Sequence, residues 1–247
     1  MDVSKFFGSK FITGQDNGEK TRKIYQEVFD NRMFNTISKL YYKKIFDVID
    51  GLISTGKEAN VFLAKKGDGK IAIKIFRRET TSFSKFIEYV ESDPRFLNIK
   101  KNRAQISNLM AHKEFRNLKT AEKFGCRVPK AIKFIENIVV MECIGEPEQT
   151  LDNFSKQEIE ENKEQIFSEI EENLRKLKKA RLVHGDLSEY NIIFFKNVYF
   201  IDMSQSTTYD NPRAKEFYLR DLKNIQRLFK KYKYTSEFIE KEIEGLI

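Results

Sequence analysis

Apolar and polar positions follow two different periods along the chain. Recurrence close to every 3.6 residues predicts helices over residues 19–49, with Gly51 closing this helix, and over 107–124, 156–180, 211–231 and 235–245. Short apolar runs bounded by turn residues predict strands at 52–53, 61–64, 71–76, 131–136, 138–143, 192–195 and 198–201. Residues 77–105 are charged and weakly patterned, so we expect mobility there and one helix at 83–91. Most of the predicted strands lie between residues 52 and 143, and helices dominate beyond them, which predicts an α+β fold.

A change in composition at Gly145 and Pro147 marks a hinge between two lobes. We therefore expect an N-terminal helical extension over residues 1–50, a lobe with an antiparallel sheet over 51–144, and a helical lobe over 145–247. A chain of 247 residues can bury a substantial core in such an arrangement.

Composition narrows the function classes. Hydrophobic residues make up 40% and charged residues 33% of the chain, and no apolar run is long enough to cross a membrane. The two cysteines, Cys126 and Cys143, suit neither a disulfide framework nor a metal site, which favours a reducing cytoplasmic location. A formal net charge of +8 favours an acidic partner such as RNA or a nucleotide, without DNA specificity. Solvated helix faces are the alternative interpretation of the basic clusters.

The chemistry is concentrated in the stretch Leu182–Asn191 and in Asp202. An Asp followed five residues later by an Asn, then by an Asp after a short hairpin, is typical of phosphoryl transfer. Asp186 would accept a proton from an attacking hydroxyl, and Asn191 and Asp202 would offer oxygen ligands to Mg²⁺. Each residue alone has a structural alternative as a turn or capping residue.

Lys74 lies in Ile-Ala-Ile-Lys, close to the Val-Ala-Ile-Lys pattern of the third strand of protein kinases. In that role its ammonium group would contact nucleotide phosphates and pair with a glutamate on the following helix. Glu114 is the candidate partner, with Glu88, Glu91 and Glu122 as alternatives. The alternative interpretation is that Lys74 is a lysine on an edge strand, where it maintains solubility.

Two further segments fit a nucleotide. In the first segment, backbone N–H groups beside Gly56 and the surrounding side chains would cover the phosphates. The segment consists of Ser54, Thr55, Gly56, Lys57 and Glu58. A polar hairpin turn explains the same residues equally well. Met141, Glu142 and Ile144 fit a hinge whose backbone would bind adenine, and a buried strand is compatible with this interpretation.

Taken together, these segments resemble the RIO atypical protein kinases, in particular the first RIO subfamily. The resemblance depends on Ser-Thr-Gly-Lys-Glu-Ala-Asn at 54–60, on His-Gly-Asp at 184–186 and on Asp-Met-Ser-Gln-Ser at 202–206. It covers the chain from about residue 19 onward, including Val28–Asp30 and Phe217–Asp221.

The resemblance implies a bilobal kinase fold, ATP with Mg²⁺ or Mn²⁺, and phosphorylation of serine or threonine. It also implies ATPase activity and a role in late maturation of the small ribosomal subunit, with precursor rRNA and ribosomal proteins as partners. Asp186 would be the catalytic aspartate, Lys74 and Glu114 the ion pair, and Asn191 and Asp202 the metal ligands. Asp202 would also be able to accept the phosphoryl group itself.

Departures from ordinary kinases predict a reduced form of the fold. Gly185 replaces the Arg of His-Arg-Asp, and Met203-Ser204 replaces the Phe-Gly that follows the metal-binding Asp. Because residue 247 follows Asp202 so soon, we expect neither an activation segment nor a large peptide-docking subdomain. His184 is expected to pack and to hydrogen-bond the backbone of the loop.

Two other functions fit part of the pattern. Small-molecule kinases of the aminoglycoside or choline type also use His-Gly-Asp with an Asn five residues later. A catalytically silent scaffold that binds precursor RNA would explain the basic charge, although it would not need Lys74, Asp186, Asn191 and Asp202.

Overall fold

The computed structural model of the chain describes residues 6–8, 31–78, 93–96, 103–145 and 149–246. Contacts divide the chain into two units. The first comprises Met1–Phe83, Asn102–His112 and Ala131–Cys143, and the second comprises Ser84–Lys101, Lys113–Lys130 and Ile144–Ile247. No helix among these described ranges is long and apolar enough to span a membrane.

The first unit is built on a five-stranded sheet of order β1-β2-β3-β5-β4, in which all neighbours are antiparallel. Its strands are β1 (Val48–Thr55), β2 (Ala59–Lys66), β3 (Gly69–Phe76), β4 (Ala131–Ile135) and β5 (Ile138–Glu142). Residues 6–8 run parallel to β1 and exchange backbone hydrogen bonds with Ile49. The helix α1 (Asn31–Tyr42) packs Ile37 and Leu40 into a core with apolar side chains of the sheet.

The predicted helix over 19–49 was wrong at its C-terminal end. The helix α1 ends at Tyr42, and Gly51, expected to close it, lies inside β1 at a shift in register. The cause is a Schellman cap: Ile45 N–H donates to Leu40 O, Lys44 N–H donates to Tyr41 O, and Lys44 has a φ of 53°. Because a lysine takes the position where glycine is usual, the sequence carried no stop signal there.

Several predicted features fall outside the described residues. They are the part of the first helix before Asn31, the expected mobile helix at 83–91 and Pro147. Within the expected mobile region, residues 93–96 are described, and Pro94–Phe96 form a 3₁₀ turn.

The second unit is mainly helical. Its helices are the C-terminal part of α2 (Arg103–Lys123), followed by α3 (Lys156–Glu161), α4 (Lys163–Lys179), α5 (Ala214–Lys231) and α6 (Glu237–Glu244). Phe167 on α4 anchors an aromatic core, with ring centroids 4.7 Å from Phe229 and 5.1 Å from Tyr234. The single helix predicted over 156–180 is two helices that meet at Asn162. Its start at Ser155 is a capping box with Glu158.

Residues 182–208 of the second unit, which include the predicted Asp186, Asn191 and Asp202, contain two small two-stranded sheets. The strands β6 (Leu182–Val183) and β9 (Thr207–Thr208) form one, and β7 (Ile192–Phe195) and β8 (Asn197–Phe200) form the other. The predicted hairpin around Lys196 and Asn197 is therefore confirmed, with Lys196 in the left-handed region at φ 61°. Only residues 203–213 separate Asp202 from α5.

Candidate active site

The backbone brings Asp186, Asn191 and Asp202 into one loop region of the second unit. Asn191 ends a 3₁₀ turn and donates from Nδ2 to Asp186 O at 2.8 Å and to Asp186 Oδ2 at 3.3 Å. The hairpin β7–β8 then returns the chain, and Ile201 N–H donates to Asn191 O at 3.0 Å. Asp202 follows directly, so all three predicted residues lie at one place.

Asp202 has an unusual backbone conformation. Its φ of 57° is in the left-handed region, which is unfavourable for a residue with a Cβ and persists only where the surroundings impose it. The hydroxyl of Ser204 donates to Asp202 Oδ1 at 2.6 Å, and Ser204 N–H approaches the same oxygen at 3.4 Å. One carboxylate oxygen is thereby oriented by the next turn of the chain.

His184 links the loop that carries Asp186 to the chain just before Asp202. Its ring is buried, with Nε2 at 3.0 Å from Ile201 O and Nδ1 at 3.4 Å from Asp186 N. Because Asp186 N–H can only donate, Nδ1 accepts, and Nε2 carries the proton that is donated to Ile201 O. The expected role of His184 in hydrogen-bonding the loop backbone is confirmed.

The helix α5 anchors the loop that carries Asp186 through polar side chains. Asp221 is buried and accepts from Gly185 N at 2.7 Å and from Leu187 N at 2.9 Å. Asn224 Nδ2 donates to Leu187 O at 3.0 Å, and the Arg220 guanidinium donates to Gly185 O. Burial raises the pKa of Asp221 to about 7, against the opposing effect of the two backbone hydrogen bonds.

The sequence reasoning did not identify Asp221 as a functional residue. A signal was available, because Asp221 lies four residues from both Phe217 and Ile225 and so falls on the buried side of α5. A carboxylate in an apolar stripe needs polar partners. Its partners here are backbone N–H groups more than thirty residues earlier, which no local pattern reveals.

Lys74 lies in the middle of the sheet of the first unit. It is buried on β3, opposite Val61 on β2 and Val139 on β5. The alternative of an edge-strand solubility lysine is therefore wrong, because β3 has a neighbour on both sides. Glu114 is fully buried on α2 and belongs to the second unit, and its pairing with Lys74 stays a prediction.

The predicted nucleotide loop is the turn between β1 and β2. Ser54 and Thr55 end β1, and Gly56, Lys57 and Glu58 form the turn, closed by a hydrogen bond from Gly56 N to Ala59 O at 2.9 Å. Thr55 Oγ1 donates to Asn60 Oδ1 at 2.7 Å. The chain is thus a well-formed polar hairpin here, which leaves its contact with phosphates a prediction.

The predicted adenine hinge follows the last strand of the sheet. Met141 is buried and Glu142 exposed at the end of β5, and Ile144 is buried just beyond it. A continuous run of buried residues from Ile138 to Met141 agrees with the interpretation of a buried strand. Binding of adenine to this backbone remains a prediction.

An antiparallel sheet with a buried central lysine, and a helical unit with an Asp/Asn/Asp loop held by a buried helix aspartate, define a protein-kinase-like phosphotransferase. The chain belongs to the RIO domain family, whose model matches residues 60–243. It is a RIO-type serine/threonine protein kinase, and the family, the α+β kinase-like fold and the enzyme class predicted from the sequence are confirmed.

The relatives carry the same description. The chain is 40% identical to the RIO-type serine/threonine-protein kinase Rio1 of Haloferax volcanii, over 85% of this chain and 72% of that protein. It is 37% identical to the Rio1 of Thermoplasma acidophilum, over 70% of this chain and 91% of that protein. Among solved structures it is similar to the Rio2 kinase-ADP/Mg²⁺-phosphoaspartate complex from Chaetomium thermophilum. The TM-score is 0.62 at 19% identity, over 84% of this chain and 64% of that one, a likeness of fold.

Proposed function

We propose that this kinase transfers the γ-phosphoryl group of ATP with Mg²⁺ bound, and that it acts in late maturation of the small ribosomal subunit. The observation that carries the catalytic part is the hydrogen-bonded convergence of Asp186, Asn191 and the Ile201–Asp202 turn. Family membership and the net charge of +8 support a partner that contains RNA.

The side chains present fit a magnesium ion. Both hydrogen bonds of the Asn191 side chain use Nδ2, so its amide oxygen is directed away from Asp186, and Asp202 adds a carboxylate. These are the hard oxygen ligands that Mg²⁺ prefers. Across the ranges that the structure describes, no three His, Cys, Asp or Glu side chains form a metal cluster, so phosphate and water oxygens would supply the other ligands. When bound, Mg²⁺ would neutralise charge that develops on the phosphates.

The protein residues would divide the remaining tasks. Asp186 would orient the attacking hydroxyl and accept its proton, because Asn191 holds one of its carboxylate oxygens in place. Lys74, with Glu114 as its partner, would bind the phosphates beneath the Ser54–Glu58 turn. The backbone from Met141 to Ile144 would bind adenine. Manganese would be able to replace magnesium at the same oxygen ligands.

Asp202 offers a second acceptor for the phosphoryl group. The similar Rio2 kinase structure is described as an ADP/Mg²⁺-phosphoaspartate complex. In this chain, attack of the Asp202 carboxylate on the γ-phosphorus would release ADP and form an acyl phosphate. Attack of water on that phosphorus would then regenerate the carboxylate and release phosphate, giving a net ATPase cycle.

The direct test is ATP turnover by the wild type, Asp186→Ala and Asp202→Ala. We expect each substitution to reduce turnover by about 100-fold or more, since each removes a proton acceptor or a metal ligand. Asp210→Ala is the control, because Asp210 is exposed and forms a surface ion pair with Arg181. Undiminished turnover in both site variants would refute the mechanism.

The ribosomal role requires a separate measurement. Cosedimentation with small-subunit precursors should show that ATP releases the wild-type protein, whereas Asp202→Ala stays bound. Equal release of the two proteins would contradict an ATPase switch. Phosphorylation of a small alcohol or aminoglycoside, without association with precursors, would instead favour a small-molecule kinase.

A further inference from the structure

A buried polar cluster lies next to Asp202 in the second unit. Its members, here called the Asp93 cluster, are Asp93, Arg95, Lys113 and Asn117. Asp93, Lys113 and Asn117 are each 0% exposed, which is rare for charged and amide side chains and requires polar partners. Asp93 precedes the 3₁₀ turn Pro94–Phe96, Arg95 lies within it, and the other two lie on α2.

Inside the cluster, two cations share one carboxylate. Arg95 binds Asp93 in a fork, with Nε to Oδ1 at 2.9 Å and Nη2 to Oδ2 at 2.7 Å. Lys113 Nζ lies 3.8 Å from Asp93 Oδ2, and Arg95 Nη1 donates to Asn117 Oδ1 at 2.8 Å. Arg95 and Lys113 carry more N–H donors than the one carboxylate can accept, which makes neighbouring carbonyl oxygens favourable partners.

Those carbonyl oxygens belong to residues 203–207, the segment that follows Asp202. Asn117 Nδ2 donates to Met203 O at 2.8 Å and to Ser206 O at 2.7 Å. Lys113 Nζ donates to Gln205 O at 3.3 Å, and Arg95 Nη2 approaches Ser206 O at 3.4 Å. Thr207 Oγ1 donates to Asp93 Oδ2 at 3.2 Å. Four of the five residues in the segment are bound by the cluster.

We infer that the Asp93 cluster positions residues 203–207 and thereby holds Asp202 in its left-handed conformation. Regular structure supports this segment at one end only, where Thr207 pairs with Val183. The left-handed conformation of Asp202 persists only where the surrounding structure imposes it, so the residues that follow Asp202 must be held as well. Asn117, Lys113 and Arg95 are accordingly positioning residues that act through Asp202. Their part in the reaction rests on the proposed function, whereas their hold on the segment does not.

The experiment compares Asn117→Leu with Asn173→Leu. Asn173 is an equally buried asparagine on α4, and its side chain hydrogen-bonds Arg127 N and Val198 O, which lie outside residues 203–207. Both substitutions replace a buried amide with a larger side chain that is branched at the same Cγ, and both remove its hydrogen bonds, so both should lower the melting temperature. Hydrogen exchange in the absence of nucleotide reads out the 203–207 amides. We expect exchange about tenfold faster in Asn117→Leu and close to wild type in Asn173→Leu.

The second readout is Mn²⁺ binding by the nucleotide-bound protein, followed by electron paramagnetic resonance. Asn117→Leu should weaken binding and lower kcat more than it raises the KM for ATP, and Asn173→Leu should do neither. If Asn117→Leu fails to fold, Arg95→Lys replaces it, because a lysine keeps the charge but lacks the fork that reaches Asn117 and Ser206.

The outcomes separate the two proposals. Unchanged 203–207 exchange in the cluster variants would overturn the positioning role. Faster exchange with wild-type Mn²⁺ binding and kcat would overturn the link to Asp202. Undiminished turnover in both Asp186→Ala and Asp202→Ala would refute the proposed function and leave the exchange result standing.

Discussion

Gly185 lies where the loop that carries Asp186 passes close to the segment after Asp202. Its φ is 84°, and a Cβ built on it would lie 3.0 Å from the backbone oxygen of Gln205. The loop that carries Asp186 thus approaches the segment after Asp202 more closely than a side chain at 185 would permit. A side chain at this position, such as the Arg of His-Arg-Asp, would therefore be sterically unfavourable.

Gly185→Ala should therefore cost more stability than a positive φ alone explains. Gly125→Ala is the matched control, because Gly125 has a φ of 78° with nothing within 4 Å of the built Cβ. We expect Gly125→Ala to cost about 1 kcal/mol in free energy of unfolding with normal turnover. Gly185→Ala should cost about 1–3 kcal/mol more and reduce ATP turnover, since Gln205 O belongs to backbone. Urea unfolding and turnover assays of both variants would show it. Equal costs and equal turnover would contradict the steric argument.

At the scale of single residues, the sequence pattern predicted the residues whose partners lie nearby in the chain. It missed the residues whose partners lie far away in the chain. His184, Asp186 and Asn191 stand within one loop, so their order along the chain already implies contact. Asn117 meets Met203 and Asp221 meets Gly185 only in the folded chain. Neither pairing has a local sequence signature.

The hairpin β1–β2 is stabilised by the side chain of a residue that follows β3. Arg77, just after β3, donates from Nη2 to Thr55 Oγ1 and to Asn60 Oδ1, both at 3.1 Å. Its backbone N–H donates to Glu58 O at 2.8 Å. Arg77 therefore braces both ends of the predicted nucleotide loop.

Removing this brace should affect nucleotide binding more than chemistry. We expect Arg77→Ala to raise the KM for ATP by about five- to tenfold with little change in kcat, since ordering the loop would then cost binding energy. Arg78→Ala is the control, because Arg78 bonds Glu136 and Asn137, away from the β1–β2 turn. Steady-state kinetics at varied ATP would separate them. The same KM in both variants would show that Arg77 does not brace a nucleotide loop.

Element types were easier to predict than element ends. The strands of the sheet, the hairpin β7–β8 and the terminal helices α5 and α6 all follow from apolar periodicity. The errors occur at helix ends, at Lys44, which takes a position where glycine is usual, and at Asn162, which separates α3 from α4. Hydrogen bonds that form only with neighbouring turns decide such ends.

At the scale of the whole molecule, two buried ionisable groups should give its stability an unusual pH dependence. Burial raises the pKa of Asp221 to about 7 and lowers the pKa of Lys113 to about 7, from ordinary values of 3.8 and 10.5. For Lys113 the attraction of Asp93 opposes burial, and repulsion by Arg95 adds to it. The two groups titrate in opposite senses relative to the unfolded chain.

The sign follows from proton counts. Between about pH 4 and 7 the folded chain keeps a proton on Asp221 that the unfolded chain has lost, so stability falls as pH rises. Between about pH 7 and 10 the unfolded chain keeps a proton on Lys113 that the folded chain has lost, so stability rises with pH. Their joint contribution is smallest near neutral pH. Each slope has an upper limit of about 1.4 kcal/mol per pH unit.

Substitution should remove one slope at a time. Asp221→Asn should flatten the free energy of unfolding on the acid side, and Lys113→Met on the alkaline side, whatever each costs in absolute stability. Lys119→Met, at an exposed position of the same helix α2, should give a curve parallel to wild type. Urea unfolding from pH 4.5 to 9.5 would measure all four curves. If the acid-side slope of the wild type survives in Asp221→Asn, Asp221 is not the group that titrates there. The same holds for Lys113 if the alkaline slope survives in Lys113→Met. In either case that residue would bind as many protons in the folded protein as in the unfolded chain.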